Sequence, residues 1–499
     1  MLFNSLHFLF FFPIVFLIYY LIPNKYRWIL LLTASYYFYM SWKPEYVVLL
    51  LLSTTIDYLA ALYMAKTDDL KKRKKLLYMS LTGNLGMLFF FKYFNFFNQN
   101  INLILHNINK DMGIPELNIL LPLGISFYTF QSLSYTIDVY RGEREPEKHF
   151  GIFALYVSFF PQLVAGPIER STHLLPQFKK KISFKYSNVV DGAKTAAWGF
   201  FKKIVIADRL GIIVEQVYNR PHEFTGYFLI VPTILFYFQL YCDFSAYSDI
   251  AIGIARMMGF DLIKNFDRPF FSKSVSEFWR RWHISLSSWL YDYLYTPLAI
   301  NFRYFGKIGI GLAVLITFLL SGLWHGASWK FVIMGLFHAI YIISAYIFKR
   351  YGIWEKLHLK QISQKLPKIS SVFNILTTFI LCSYSFIFFR ASSTSEAIYI
   401  AKNIFVNLGL SVNAKNSMRF QLNRLGDSMK VYDIKYYSLY LSIAFILLLI
   451  IVEYIGADKI KAFLKRFPIF FRFIIYYIFF MIIVLFGVFE GSRFIYFQF

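Results

Sequence analysis

Apolar runs of helical length follow one another along most of the chain, at residues 7–22, 28–42, 46–64 and 76–91 and again at 308–321, 331–347, 372–389, 436–454 and 468–488. A helix needs roughly 20 apolar residues to cross the hydrocarbon core of a bilayer, so the 499 residues have room for about ten to thirteen crossings or partial crossings. With 58% hydrophobic and 16% charged residues, the chain is too apolar for water to be its main solvent. The expected fold is an all-α polytopic integral membrane protein of roughly 10–13 transmembrane, re-entrant and interfacial helices. The first run, His7 to Ile22, has no Lys or Arg before it and no small-residue cleavage site after it, and reads as a retained helix.

The formal net charge of +24 raises the question of nucleic acid. The cations gather in loops between apolar runs, at Lys71–Lys75, Lys179–Lys181, Lys349–Lys368 and Lys459–Arg466. That is the positive-inside pattern of a cytoplasmic-membrane protein whose solvent is the lipid bilayer, and no nucleic acid partner is expected. The two cysteines, Cys242 and Cys382, lie inside apolar runs and read as small buried hydrophobes, so neither a disulfide framework nor a thiolate metal site is indicated.

Three regions follow from the pattern: N-terminal transmembrane helices at 1–115, a core at 116–348, and C-terminal transmembrane helices at 349–499 with an extracytoplasmic polar segment near 391–435. Within the core, the run at 150–165 has cytoplasmic charge on both sides, which predicts a re-entrant or broken helix with Ala165-Gly166-Pro167 as its breaker. Trp198–Gln216 mixes apolar residues with Lys202, Lys203, Asp208 and Arg209 and predicts an interfacial or half-buried helix. Tyr227–Phe260 exceeds one simple crossing and predicts a long or bent helix followed by a turn. The runs at 308–321 and 331–347 each look short for a full span and meet at Ser321-Gly-Leu-Trp-His-Gly326.

His325 is the first candidate for chemistry. It stands among glycines and tryptophans in apolar sequence, where a desolvated imidazole stays neutral and can take a proton from a hydroxyl; the alternative is a core histidine bonded across helices. In Glu277-Phe-Trp-Arg-Arg-Trp-His-Ile-Ser285, Trp279 and Trp282 interleave with Arg280, Arg281 and His283. That pattern fits an interfacial helix with snorkelling arginines, or a pocket whose arginines hold donor phosphates. In Gln239–Arg256, Asp243 and Asp249 are acids inside an apolar helix and need partners, such as arginines of the Trp-rich segment. Trp324 adjoins His325, and His338 is a lone helical histidine expected to be structural. No Gly-rich phosphate loop, nucleophile elbow or zinc-type motif is present, and no metal site is expected.

Taken together, Phe160-Pro-Gln-Leu-Val-Ala-Gly-Pro-Ile168, Tyr241-Cys-Asp-Phe-Ser-Ala-Tyr-Ser-Asp249, Glu277–Ser285 and Ser321–Gly326 resemble the membrane-bound O-acyltransferase family, in the branch of alginate O-acetylation and teichoic-acid D-alanylation proteins. The four motifs lie in order between about 118 and 345. The resemblance implies a helical bundle around a central cavity, with His325 and His283 as the catalytic positions. Trp279, Arg280, Arg281, Trp282, Trp324, Asp243 and Asp249 become candidates for substrate contact or tunnel lining. It also implies no bound cofactor and acetyl-coenzyme A as cytoplasmic acyl donor. The acceptor would be an extracytoplasmic polysaccharide, reached directly or through a partner acyltransferase, with D-alanyl transfer from a carrier protein as the alternative. A transporter is the rival of another class; the internal repeats it would be expected to carry are not evident.

Overall fold

The computed structural model describes residues 1–108, 113–351, 365–408, 421, 437–489 and 494–495. These form helices and no strand: α1 (Leu6–Leu21), α2 (Asn24–Met40), α3 (Val47–Ala65), α4 (Leu70–Leu88), α5 (Phe94–Ile108), α6 (Ile125–Arg141), α7 (Phe150–Ser158), α8 (Ser171–Lys179), α9 (Tyr186–Phe200), α10 (Asp208–Tyr218), α11 (Tyr227–Met257), α12 (Val275–Arg281), α13 (Ile284–Leu290), α14 (Thr296–Asn301), α15 (Gly306–His325), α16 (Trp329–Arg350), α17 (Pro367–Arg390), α18 (Thr394–Asn403), α19 (Tyr437–Ile455), α20 (Ala457–Lys465) and α21 (Ile469–Phe486). Among the described residues, six helices are long and apolar enough to cross a membrane: α3 with its 3-10 lead-in, α11, α15 with its lead-in, α16, α17 and α21. The chain is a multi-pass, all-α membrane protein. Of the polar segment expected near 391–435, residues 409–420 and 422–436 lie outside the described residues, as do 352–364 of the preceding basic loop.

Two compact units divide the chain. One comprises Met1–Trp198, Tyr247–Asn265 and Ser288–Tyr293, the other Gly199–Ala246, Phe266–Ser287 and Leu294–Phe499.

In the first unit, α7 is a nine-residue helix, too short to cross, and every residue from Phe159 to Ile168 after it is buried. The broken helix expected here is present, but the break falls earlier than Ala165-Gly166-Pro167. Pro161 disfavours helical backbone at Phe160, and the helix stops at Ser158. Buried irregular backbone needs partners, and side chains supply them: the Ser35 hydroxyl accepts from the Phe160 N–H at 3.0 Å, and the Tyr156 hydroxyl donates to the Glu169 carbonyl at 2.9 Å.

In the second unit, the interfacial or half-buried helix expected at 198–216 is corrected at its centre. Residues Phe201–Ala207 form a π-helical segment buried throughout, and Lys202 and Lys203 are enclosed in protein. Amphipathic composition suggested an interface; ion pairing allowed burial instead. Lys203 Nζ lies 2.8 Å from Asp208 and 2.7 Å from Asp243. The two runs expected to be short are also corrected, because α15 has 20 residues and α16 has 22. Each helix continues through polar positions such as Lys307 and Lys330 that bound the apolar runs. The long helix with a following turn is as expected: α11 runs 31 residues, and Gly259 turns the chain at φ +88°.

Candidate functional site

Local sequence signals place the first histidine. Ser274 caps α12, its hydroxyl accepting from the Glu277 N–H at 3.1 Å, while the Glu277 carboxylate reaches back to the Lys273 N–H at 2.9 Å. That pair is close to the capping box of a Ser-x-x-Glu start, with the carboxylate taking the N–H of the residue before the cap. Glu277 also receives Arg281 at 2.6 Å. Partial burial works against its charge, yet the Lys273 N–H and Arg281 prevail and hold its carboxyl below the usual glutamate range. Arg281 is thereby committed to its own helix, whereas Arg280 is exposed.

After α12, Trp282 leaves the helix and His283 takes a left-handed conformation at φ +46°, from which α13 starts. A non-glycine residue there costs of order 1–3 kcal/mol, so the surroundings must enforce it. Two backbone bonds do so: the Asp267 N–H donates to the Arg281 carbonyl at 2.8 Å, and the Ser287 N–H to the His283 carbonyl at 2.9 Å. The elbow delivers a fully buried imidazole edge-on to the Phe244 ring at 4.6 Å and to the Trp324 indole at 5.8 Å. His283 lies outside the six candidate spans. Burial, and then the neighbouring His325, hold its pKa well below the ordinary histidine value.

His325 is the last residue of α15 and is 7% exposed. Its ring packs against Trp324 at 5.0 Å and, edge-on, against Phe389 of α17 at 5.5 Å. The α15–α16 hairpin holds it there through glycines. A Cβ on Gly322 would fall 2.2 Å from the Phe331 carbonyl oxygen, and one on Gly335 would fall 2.1 Å from that of Phe318. Small residues let the two helix backbones approach, as in other membrane helix pairs. Gly326 leaves room for the Phe331 ring, 2.1 Å from where its Cβ would be.

The aromatic members of the Trp-rich segment divide in role. Trp279 donates its indole N–H to His338 Nδ1 at 3.3 Å, so the lone histidine of α16 anchors α12 as a buried acceptor. Trp282 stacks on Phe278 at 5.3 Å and joins Tyr237, Tyr241 and Phe386 around the elbow.

Asp243 belongs to the same unit, one residue before Phe244. Its partners differ from the expected arginines: it pairs with Lys203 and accepts from the Ile495 N–H at 2.7 Å. Next to it, Lys202 donates to Ser245 at 2.7 Å. Asp249 falls in the other unit, half-buried, and Arg256, seven residues on in the same helix, pairs with Asp191 at 3.6 Å. Sequence reasoning missed Lys203 as Asp243's partner and Phe244 and Phe389 as the aromatic neighbours of the two histidines. Phe244 stood inside a quoted motif, but Phe389 carried no signal. Among the described residues no group of three or more His, Cys, Asp or Glu is arranged to hold a metal ion.

The family model described as MBOAT, the membrane-bound O-acyltransferase family, matches residues 149–387, which include both histidines. A protein of Azotobacter vinelandii named "Probable alginate O-acetylase" is 36% identical over 403 residues, 80% of this chain and 76% of the relative. The peptidoglycan O-acetyltransferase of Helicobacter pylori is 34% identical over 475 residues, 88% of this chain and 86% of that protein. The teichoic acid D-alanyltransferase of Bacillus subtilis is 27% identical over 285 residues, 55% and 70% of the two chains. With the two buried histidines inside the matched region and O-acetylating relatives aligned over most of both chains, this protein belongs to the membrane-bound O-acyltransferase family.

Proposed function

We propose that this O-acyltransferase moves an acetyl group from a cytoplasmic thioester, acetyl-coenzyme A, to a hydroxyl on the far side of the cytoplasmic membrane. The acceptor is an extracytoplasmic polysaccharide or a partner acyltransferase that delivers the group to one. The observation that carries this reading is the convergence of His283 and His325 on Trp324, inside the region the family model matches. Names of the relatives that cover most of the chain favour acetyl over D-alanyl.

In this reading His325 accepts the proton of the acceptor hydroxyl as its oxygen attacks the thioester carbonyl carbon. The carbon–oxygen bond forms, the carbon–sulfur bond breaks, and the proton passes from His325 to the departing thiolate. His283, kept neutral by its surroundings, orients the reacting group by hydrogen bond, and its enforced backbone conformation fixes where the ring points. Arg280, exposed beside the elbow, is the better placed of the two arginines to meet donor phosphate, because Arg281 is spent on Glu277.

The test uses vesicles holding the wild type or His325→Ala, with labelled acetyl-coenzyme A on the cytoplasmic face and acceptor polysaccharide and partner opposite. Label reaching the acceptor with wild type only supports the reading. Transfer from a D-alanyl carrier and not from acetyl-coenzyme A would replace acetyl by D-alanyl. Undiminished transfer by His325→Ala would overturn the mechanism.

A further inference from the structure

In the first unit, far along the sequence from either histidine, three helices each contribute two polar side chains one turn apart. These are Ser53 and Asp57 on α3, Ser80 and Asn84 on α4, and Ser132 and Thr136 on α6, and all six are fully buried. They converge on one carboxylate. Asp57 accepts from the Ser80 hydroxyl, from the Asn84 amide at 3.0 Å to each oxygen, and from the Thr136 hydroxyl at 3.0 Å. The Ser53 hydroxyl donates in turn to the Asn84 amide oxygen at 2.5 Å, which fixes the amide's orientation.

Every group acting on Asp57 is neutral; among the described residues no Lys, Arg or His pairs with it. Several charged and titratable groups on the packed helices are engaged elsewhere. Arg73 of α4 donates to the Val139 and Tyr140 carbonyls, and Asp138 of α6 accepts from Tyr293. Tyr58 of α3 donates to the Lys148 carbonyl, Tyr135 of α6 accepts from the Glu147 N–H, and Tyr156 of α7 is bonded to main-chain carbonyls. A carboxylate halfway along a membrane-spanning helix is costly unless something balances its charge, and a one-residue change to a neutral side chain would remove the cost altogether. Five hydroxyl- or amide-bearing side chains at matched helical spacing instead build a cage around it.

We propose that Asp57, with Ser53, Ser80, Asn84, Ser132 and Thr136, forms an intramembrane site for one monovalent cation, a proton or a sodium ion. Its charge is balanced by the Asp57 carboxylate alone. The hydroxyls of Ser80 and Thr136 can rotate, donating to an empty carboxylate and turning their lone pairs to a bound cation. Occupancy then controls how tightly α3, α4 and α6 hold together, independently of the acyl-transfer reading.

The experiment follows the thermal unfolding midpoint of the full-length protein in detergent, in sodium-free choline buffer and with added sodium, across pH. The variants are Asp57→Asn, which keeps the shape without the charge, and Ser80→Ala and Thr136→Val, which keep the charge and thin the cage. A midpoint that rises by a few degrees with sodium in wild type, less in Ser80→Ala and Thr136→Val, assigns the site to sodium. No sodium response, but a wild-type midpoint that drops relative to Asp57→Asn as pH rises, assigns it to the proton. A wild type indifferent to sodium whose pH profile parallels that of Asp57→Asn overturns the proposal. If Asp57→Asn does not fold, Ser80→Ala serves as the reference: wild-type and Ser80→Ala midpoints alike at every sodium level and pH overturn it equally.

Discussion

The carbonyl oxygen of Phe331 lies 2.2 Å from where a Cβ on Gly322 would stand, so α15 and α16 meet backbone to backbone three residues before His325. Gly322→Ala therefore has to push the helices apart. It should destabilise by about 1–3 kcal/mol, the usual cost of overpacking, and lower acyl transfer by displacing His325. Gly311→Ala on the same helix has nothing within 4 Å and is the control. It should be neutral or stabilising by up to about 1 kcal/mol, from helix propensity alone. Unfolding midpoints of both variants check this.

The left-handed backbone of His283 separates its ring from its conformation. His283→Ala and His283→Gly should both lower transfer, by on the order of 10²-fold or more if the ring acts on the reacting groups. The glycine variant should be the more stable of the two by about 1 kcal/mol, since it adopts φ +46° without strain. Equal stability of the two variants would show that the elbow relaxes.

Lys203 stands between two carboxylates in the second unit. Lys203→Met should cost about 3–5 kcal/mol, because Asp208 and Asp243 are left buried and facing each other without a cation. Adding Asp243→Asn should recover part of the loss. Denaturation of the single and double variants decides it, and a double variant no better than the single would refute the pairing.

Glu277 gives a pH dependence with a definite sign. Its folded pKa is lowered, so its contribution is present above the unfolded glutamate value of about 4.3 and disappears as pH falls through the folded one. Glu277→Gln should be less stable than wild type by about 0.5–1 kcal/mol near neutrality, the worth of a partly exposed cap and ion pair. The difference should shrink as pH falls below the unfolded value and close once the lower folded one is passed. Parallel melting curves from pH 7 to 3 measure it.

Local signals around the candidate site lie in residue order. The Ser274–Glu277 cap, the glycines around His325 and the acids inside α11 each carry a local physical signal, and the helix starts, the hairpin and the buried charge follow from them. Partners were not readable, because a buried charge requires a counter-charge without saying which. Asp243 was matched to arginines of a neighbouring motif, whereas Lys203 holds it, from a segment whose mixed composition looked interfacial. The break after α7 was placed at Ala165-Gly166-Pro167, and Pro161, five residues before Gly166, acted first.

The sequence by itself determined that this is a helical membrane protein and that His325 lies in apolar sequence, whereas the burial of His283 was left to the fold. Those properties depend on hydropathy, spacing and capping, which act over one or two turns. Tertiary structure decided that both imidazoles pack against Trp324, that Phe389 meets His325 edge-on, that Arg281 is spent on Glu277 while Arg280 stays exposed, and that five polar side chains enclose Asp57. Each of those depends on which helix faces which. In a chain with a surplus of apolar faces, only packing and the pairing of buried charge can choose among them.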